Sequence, residues 1–368
     1  MHFLITLLIL TILIFNLSLS FLNSFSNNLI SWYSINKREL PWRNTNDPYK
    51  IWLSEIILQQ TKIVQGLPYY NRFIKKYPNV QTLAFASEKE VLKLWEGLGY
   101  YSRARNLHKT AKIIVGNFHG IFPSKYEDLI KLPGIGDYTA SAISSFSINE
   151  INPVVDGNVY RFLSRLIGIK IPINTSKSFK EFRNIAQILI SKKNPSDFNQ
   201  AIMEFGSLVC KPKNPICNKC IYQKTCYAYL NQKISTLPVK IGKKKNKERF
   251  FNFLIMKSPN GDTVIEKRIN KDIWQNLYQF PLIESEKSLD KKNLSIKLKE
   301  NKFFKSKEIE FYLYQNKSFI HKLSHQNINY SFWIFDVKNI KKNQTNIRNL
   351  KMYPFPKPIS NFLLNYNW

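Results

Sequence analysis

The chain has 368 residues, 44% hydrophobic and 14% aromatic, which is enough to bury more than one core and excludes a disordered polypeptide. Lys+Arg at 55 against Asp+Glu at 25 gives a net charge of +30, a balance that favours a polyanionic partner through counterion release, although AT-rich coding also enriches Lys, Asn and Ile. All four cysteines lie between Cys210 and Cys226, which excludes a distributed disulfide framework and points to a metal or cluster site in a reducing compartment, the cytoplasm.

Residues 1–22, MHFLITLLILTILIFNLSLSFL, contain no Asp, Glu, Lys or Arg. Their length matches the roughly 20 apolar residues that cross a bilayer. A basic n-region and a small-residue cleavage site, which would mark a signal peptide, are missing. Two readings stay open: an N-terminal membrane anchor, the only route to membrane contact, and leader sequence translated from an upstream start codon.

Arg38-Glu39-Leu40-Pro41-Trp42-Arg43 leads to Asp47-Pro48, a cap followed by proline at the first helical position, and the pattern predicts a helix through YKIWLSEIILQQTKIV. At helical spacing the neighbours of Glu55 are Ile51, Trp52, Leu58 and Gln59, so its carboxyl shares a mostly apolar face. Burial there would raise its pKa and keep a proton available near neutrality; the alternative is an ordinary acid on a helix surface. Further on, GLGYYSRARNLHKTA (97–111) sets Tyr100 and Tyr101 beside Arg103, Arg105, His108 and Lys109, which suits stacking on bases and neutralising phosphates, or else an amphipathic helix with buried tyrosines.

The segment from Leu132 to Arg161 reads as helix, hairpin, helix. Gly134 and Gly136 in LPGIG break the chain between an amphipathic run and a helical run through Tyr138, Ala142 and Phe146. Both glycines are expected at a turn demanding positive φ and close backbone approach, with bared amides at the second helix suited to a phosphate. Val155-Asp156-Gly157-Asn158 then opens another helix with Asp156 at the N-cap. A lone Gly-rich turn and a lone capping Asp are usually no more than that.

Cys210, Cys217, Cys220 and Cys226 have the spacing C-x6-C-x2-C-x5-C. Four thiolates hold either zinc or a 4Fe-4S cluster, and zinc ribbons usually show two C-x2-C pairs where this chain has one. Residues 234–249, ISTLPVKIGKKKNKER, form a proline-bearing basic linker, after which FFNFLIM, DTVIEKRI, EIEFYLYQ and YSFWIFDV predict short strands of a second, mixed domain. No GX5EX7REUXEEXGU pattern occurs between 261 and 300, so metal-dependent nucleotide hydrolysis is not expected and no nucleotide cofactor is assigned.

The LPGIG hairpin, the VDGNV segment and the cysteine spacing together resemble the helix-hairpin-helix DNA glycosylases with an iron–sulfur cluster, most closely the adenine DNA glycosylases of the MutY type, over residues 29–230. The resemblance implies an α-helical glycosylase domain at 23–233, including a cluster loop at 210–226, and, more loosely, an α+β Nudix-like recognition domain at 250–368. Its cofactor would be a structural 4Fe-4S cluster on Cys210, Cys217, Cys220 and Cys226, with Lys211, Lys213, Lys219 and Lys224 facing phosphate. Its substrate would be double-stranded DNA with adenine opposite 8-oxoguanine or guanine, acted on by a nucleoid-associated monomer.

By the same resemblance Glu55 protonates adenine at N7. Asp156, favoured in its ionised form by a helix dipole, stabilises the cationic sugar, electrostatically or through a transient adduct, and Tyr138 hydrogen-bonds near Asp156. Arg38, Trp42 and Gln200 line the adenine pocket with Leu58 beside them, Gln60 fills the vacated stack, and Thr61 lies near the partner base. Tyr100 enters the duplex. Leu323-Ser324-His325 matches a Phe-Ser-His loop in which the serine reads 8-oxoguanine, with Leu replacing Phe. Two alternatives remain: a bifunctional endonuclease III-like glycosylase, which carries a lysine where this chain has Tyr138, and a non-catalytic or membrane-tethered DNA-binding protein that kept the fold.

Overall fold

The computed structural model describes residues 19–242, 245–299, 310–340 and 344–368, so residues 1–18 of the apolar leader and the start of the EIEFYLYQ strand lie outside the described residues. No described helix is long and apolar enough to cross a membrane. Two compact units are formed, Met1–Ala84 with Lys109–Gly242, and Phe85–His108 with Lys243–Trp368.

The first unit is helical. Its opening helix, Leu19–Asn36, runs across the 22/23 boundary drawn from sequence and buries Phe25, Leu29 and Tyr33 against Phe162, Phe182, Phe198 and Phe205. The Tyr222 hydroxyl donates to the Phe25 carbonyl at 2.9 Å, so the cysteine loop is tied to this helix. The Pro48–Leu58 helix begins where expected, with Asp47 accepting from the Tyr49 amide at 2.9 Å. Tyr49 and every residue from Ile51 to Ile57 is buried, as in a helix surrounded by protein on all sides.

The hairpin joins the short helix Tyr126–Leu129 to the helix Asp137–Ile148. Only one of its glycines needs to be glycine for backbone reasons. Gly134 has φ 78, but Gly136 is extended, with φ −98 and ψ −179, and a Cβ there would meet nothing within 4 Å. The expectation of positive φ at both positions is thus corrected at Gly136, which instead serves as an N-cap with no side chain covering the helix amides. A second close approach occurs at Gly206 in the helix Pro195–Leu208, where a Cβ would come within 2.8 Å of Asn158 Cβ and 2.9 Å of its carbonyl oxygen. That contact seats the Gly157–Leu163 helix, and therefore its cap Asp156, directly against Pro195–Leu208.

The second unit carries a mixed sheet in the order Leu282–Ser285, Lys247–Lys257, Gln326–Asp336, Phe311–Leu313, with Phe319–Lys322 also pairing Gln326–Asp336. Its two long strands are parallel, from Lys247 opposite Gln326 to Lys257 opposite Asp336. One face packs Leu254, Met256, Trp333 and Phe335 against Leu294 and Leu298 of the helix Lys291–Lys299. On the other, Phe253 and Phe362 stack on Phe332 at 5.5 and 4.2 Å. The strand begins inside the linker expected at 234–249, because backbone pairing recruits Lys247, Glu248 and Arg249, whose side chains carry no strand signal.

Candidate active site

A cavity of about 860 Å³ opens in the first unit, and Glu55, Tyr138 and Asp156 all line it. Arg38, Trp42, Leu58, Gln60, Thr61 and Gln200 line it too, so nine residues singled out from sequence meet at one place.

Glu55 is 8% exposed. Burial pushes its carboxyl up to about 7; the Tyr138 hydroxyl, within hydrogen-bonding reach, and the Arg43 charge oppose the rise, while the charge of Asp156 adds to it. A carboxylic acid with that pKa holds a transferable proton at neutral pH. Tyr138 lies at 3.5 Å from Met203 Sδ, and burial together with the two carboxyls holds its phenol well above the usual range. Its hydrogen-bonding neighbours are Glu55 and Met203, and Asp156 acts on it through charge.

Asp156 caps its helix with one oxygen and is clamped by the other. Oδ1 accepts from the Asn158 and Val159 amides, both at 2.8 Å, and Oδ2 from Asn158 Nδ2 at 2.6 Å. Burial raises its pKa, and these donors, with Arg161, pull against the rise. The segment leading into it is fixed by buried Asn199, which accepts from the Val154 amide at 3.0 Å and donates to the Asn152 carbonyl at 2.8 Å and to Ser145 Oγ at 2.9 Å. Every polar group of that amide is used, so the segment has one position rather than several.

The floor of the cavity holds a charge cluster that sequence reasoning missed. Glu204, 1% exposed, accepts from the Arg38 amide at 3.0 Å, the Arg38 guanidinium, and both terminal nitrogens of Arg43 at 2.9 and 2.8 Å. Burial alone would raise its pKa, but the two arginines hold it down at about 2. Arg38 is held by Glu204 and Ser207 while it lines the cavity. Glu204 carried the same signal as Glu55, an acid inside an apolar run, AIMEFGSL. Arg43 carried none, because its partner stands 161 residues away. Trp42 packs edge-on against Tyr70 at 5.0 Å, and Gln200 accepts from the Tyr33 hydroxyl at 3.0 Å. Gln60 stands exposed at the rim with φ 55, a conformation disfavoured for a residue with a Cβ.

The remaining expected residues lie elsewhere. Gly134 and Gly136 sit in the hairpin, outside the lining of the cavity. Tyr100, Ser324 and His325 belong to the second unit. Ser324 and His325 form the exposed two-residue tip of the hairpin between Phe319–Lys322 and Gln326–Asp336, closed by Leu323 N donating to Gln326 O at 2.8 Å. Cys210, Cys217, Cys220 and Cys226 line a small cavity of their own with Arg165 and Tyr222. Among the described residues no group of three or more His, Cys, Asp or Glu side chains is arranged to hold a metal ion. Burial and, more weakly, neighbouring thiols push Cys220 up to about 12.

Residues 53–187 match the HhH-GPD superfamily base excision DNA repair proteins, and residues 252–365 match the NUDIX domain. A solved thermostable thymine-DNA glycosylase is similar over 57% of this chain and 97% of its own, at 27% identity and a TM-score of 0.53. Fold and site thus define a helix-hairpin-helix DNA glycosylase of base excision repair, an enzyme that hydrolyses N-glycosidic bonds in DNA, with a Nudix-like C-terminal domain. Adenine DNA glycosylase of Buchnera aphidicola subsp. Schizaphis graminum is 38% identical over 351 residues, 92% of this chain and 97% of that protein. The Homo sapiens adenine DNA glycosylase is 41% identical over 214 residues, 56% of this chain and 39% of that protein. The chain belongs to the adenine DNA glycosylase family.

Proposed function

We propose that the protein is a monofunctional glycosylase that removes adenine paired with 8-oxoguanine or guanine, acting as a monomer in the cytoplasm. The observation that carries this is the pair of carboxyls lining one cavity, buried Glu55 with a pKa of about 7 and half-buried Asp156 held by three donors. Adenine is flipped out of the duplex into the cavity. Glu55 gives its proton to N7, the C1′–N9 bond breaks with its electron pair passing to the base, and the cationic sugar forms beside Asp156. Water then adds at C1′ and gives its proton to the Glu55 carboxylate, which restores the acid. Trp42 and Gln200 wall the base, Arg38 acts through Glu204, Gln60 takes the vacated place, Thr61 and Tyr100 work at the partner strand, and Ser324 with His325 reads the oxidised partner. The bare amides behind Gly136 suit a phosphate.

Monofunctionality is supported by the cavity lining, in which the one lysine, Lys62, is exposed at the mouth and Tyr138 occupies the interior. A lyase needs a desolvated amine as nucleophile. Duplexes with A opposite 8-oxoguanine, G or C are incubated with enzyme and divided into samples with and without alkali. Adenine release from the first two, with strand breaks only after alkali, is expected; Ser324→Ala should narrow the preference for 8-oxoguanine by at most about tenfold, the worth of one neutral hydrogen bond. Nicking without alkali, trapped by borohydride, would return the chain to the bifunctional class.

We assign the four cysteines to a 4Fe-4S cluster. The donor set fits: four thiols share one cavity, and a 4Fe-4S cluster takes one sulfur per iron. Bound there, the cluster would fix the loop that faces DNA, and no catalytic step requires it. Anaerobically purified protein is expected to be brown and to contain about four irons per chain. Stoichiometric zinc without iron would refute the assignment.

A further inference from the structure

The segment Phe85–His108, which interrupts the helical unit in sequence, packs with the C-terminal unit. It is attached there along its length. Glu88 Oε1 accepts from Asn276 Nδ2 at 2.8 Å, Lys93 donates to the Tyr353 carbonyl at 3.0 Å, and Arg105 donates to the Gln275 carbonyl at 2.9 Å. Lys89 lies over the Tyr353 ring at 3.6 Å, and Glu96 accepts from the Ser360 hydroxyl.

At the centre of this segment stands the Tyr100 loop. Gly97, Gly99 and Tyr100 all have positive φ, at 91, 78 and 47, and Tyr100 is 44% exposed. A tyrosine persists in that conformation only where its surroundings fix it. The next residue does so. Tyr101, 7% exposed, accepts from the Gly97 amide at 3.2 Å and donates to the Phe355 carbonyl at 3.2 Å, so one hydroxyl bridges the loop to the chain just before the C-terminal helix. Arg103 closes the other side, donating to Gly99 O at 3.2 Å with its guanidinium over Trp95 at 5.1 Å and Tyr100 at 5.6 Å.

We infer that Tyr101, seconded by the Glu96–Ser360 contact, is a positioning residue through which the C-terminal unit sets the Tyr100 wedge. This rests on the reading of Tyr100 as the residue that enters the duplex. The wedge and the Ser324-His325 hairpin tip are then parts of one body. A duplex that seats the hairpin poorly also receives the wedge poorly, so partner recognition governs duplex opening rather than adding to it.

The test uses the full-length protein and a duplex with 2-aminopurine beside the partner base, whose fluorescence rises as the stack opens. Tyr101→Phe keeps the ring and removes the bridge. It is expected to reduce the rise at saturating protein roughly three- to tenfold, and to lower the ratio of single-turnover rates on A:8-oxoguanine and A:G by a similar factor, as loss of a hydrogen bond dictates. Ser360→Ala should act in the same direction and serves if Tyr101→Phe folds poorly. Affinity for an undamaged duplex should not change with either, which a merely unfolded loop would not spare. If Tyr100→Ala abolishes the rise while both variants leave rise and ratio at the wild-type values, the bridge is only packing and the inference falls. If Tyr100→Ala itself leaves the rise intact, the wedge reading fails and the inference fails with it.

Discussion

Replacing Asp156 by Asn is expected to reduce single-turnover base release by about 10³-fold or more while leaving duplex binding nearly unchanged, because the lost charge acts on a cation that exists only in the transition state. The substitution is mild for the fold. Asn caps helices as well as Asp, and its oxygen can still accept from the Asn158 and Val159 amides. What it cannot do is accept from Asn158 Nδ2, since it offers an amide where Oδ2 stood. Asn158 is not free to flip in response, because its own oxygen is held by Arg161 at 2.9 Å. One unpaired contact costs about 1–3 kcal/mol, partly offset by removing a half-buried carboxylate. Stability should therefore fall modestly while catalysis collapses. Gel-shift affinity, urea midpoints and quenched single-turnover assays on the same preparation separate the two. Equal losses in affinity and rate would show that Asp156 organises the site and does not act on the sugar.

The parts of this site that were legible in the sequence are those written in local chemistry. Asp156 announced itself as a cap before an apolar run, and Glu55 as an acid on an apolar face; both features depend on residues within one helical turn. What stayed hidden depends on pairing across the chain. Arg43 meets Glu204 only because the Pro41–Arg43 turn and the Pro195–Leu208 helix fold together, and the same is true of Tyr138 and Met203. Gly136 shows the opposite failure, a glycine read as a backbone necessity whose φ is ordinary. In the second unit the short strands rich in aromatic and β-branched residues were visible. Their parallel central pairing was not, nor was the attachment of Phe85–His108 to that unit, because neither leaves a period in the sequence. The sequence reading keeps the Tyr100 loop inside the domain at 23–233, and the family match over residues 53–187 spans it.

Glu55→Gln is expected to remove about 10²–10⁴ of the rate, the usual contribution of a general acid, and to change the pH dependence in a way no structural defect would imitate. In the wild type kcat/KM should fall tenfold per pH unit above pH 7, since only the protonated carboxyl serves and its pKa is about 7 in the free enzyme. The Gln variant should show no such limb. Stability should move the other way. The folded-state pKa of Glu55 lies above its ordinary value of 4.5, so the group's contribution is fully present below pH 4.5 and is lost as pH rises through about 7. A rise from 4.5 to about 7 corresponds to roughly 3 kcal/mol withdrawn from the wild type at pH 8. Gln carries no such penalty at any pH. Urea denaturation at pH 5 and pH 8 should find the variant gaining on the wild type by about that amount across the interval, an inactive protein that is the more stable of the two at alkaline pH. A variant whose stability tracked the wild type at both pH values would mean that Glu55 ionises normally, and an acid that ionises normally has no proton to give adenine at neutrality.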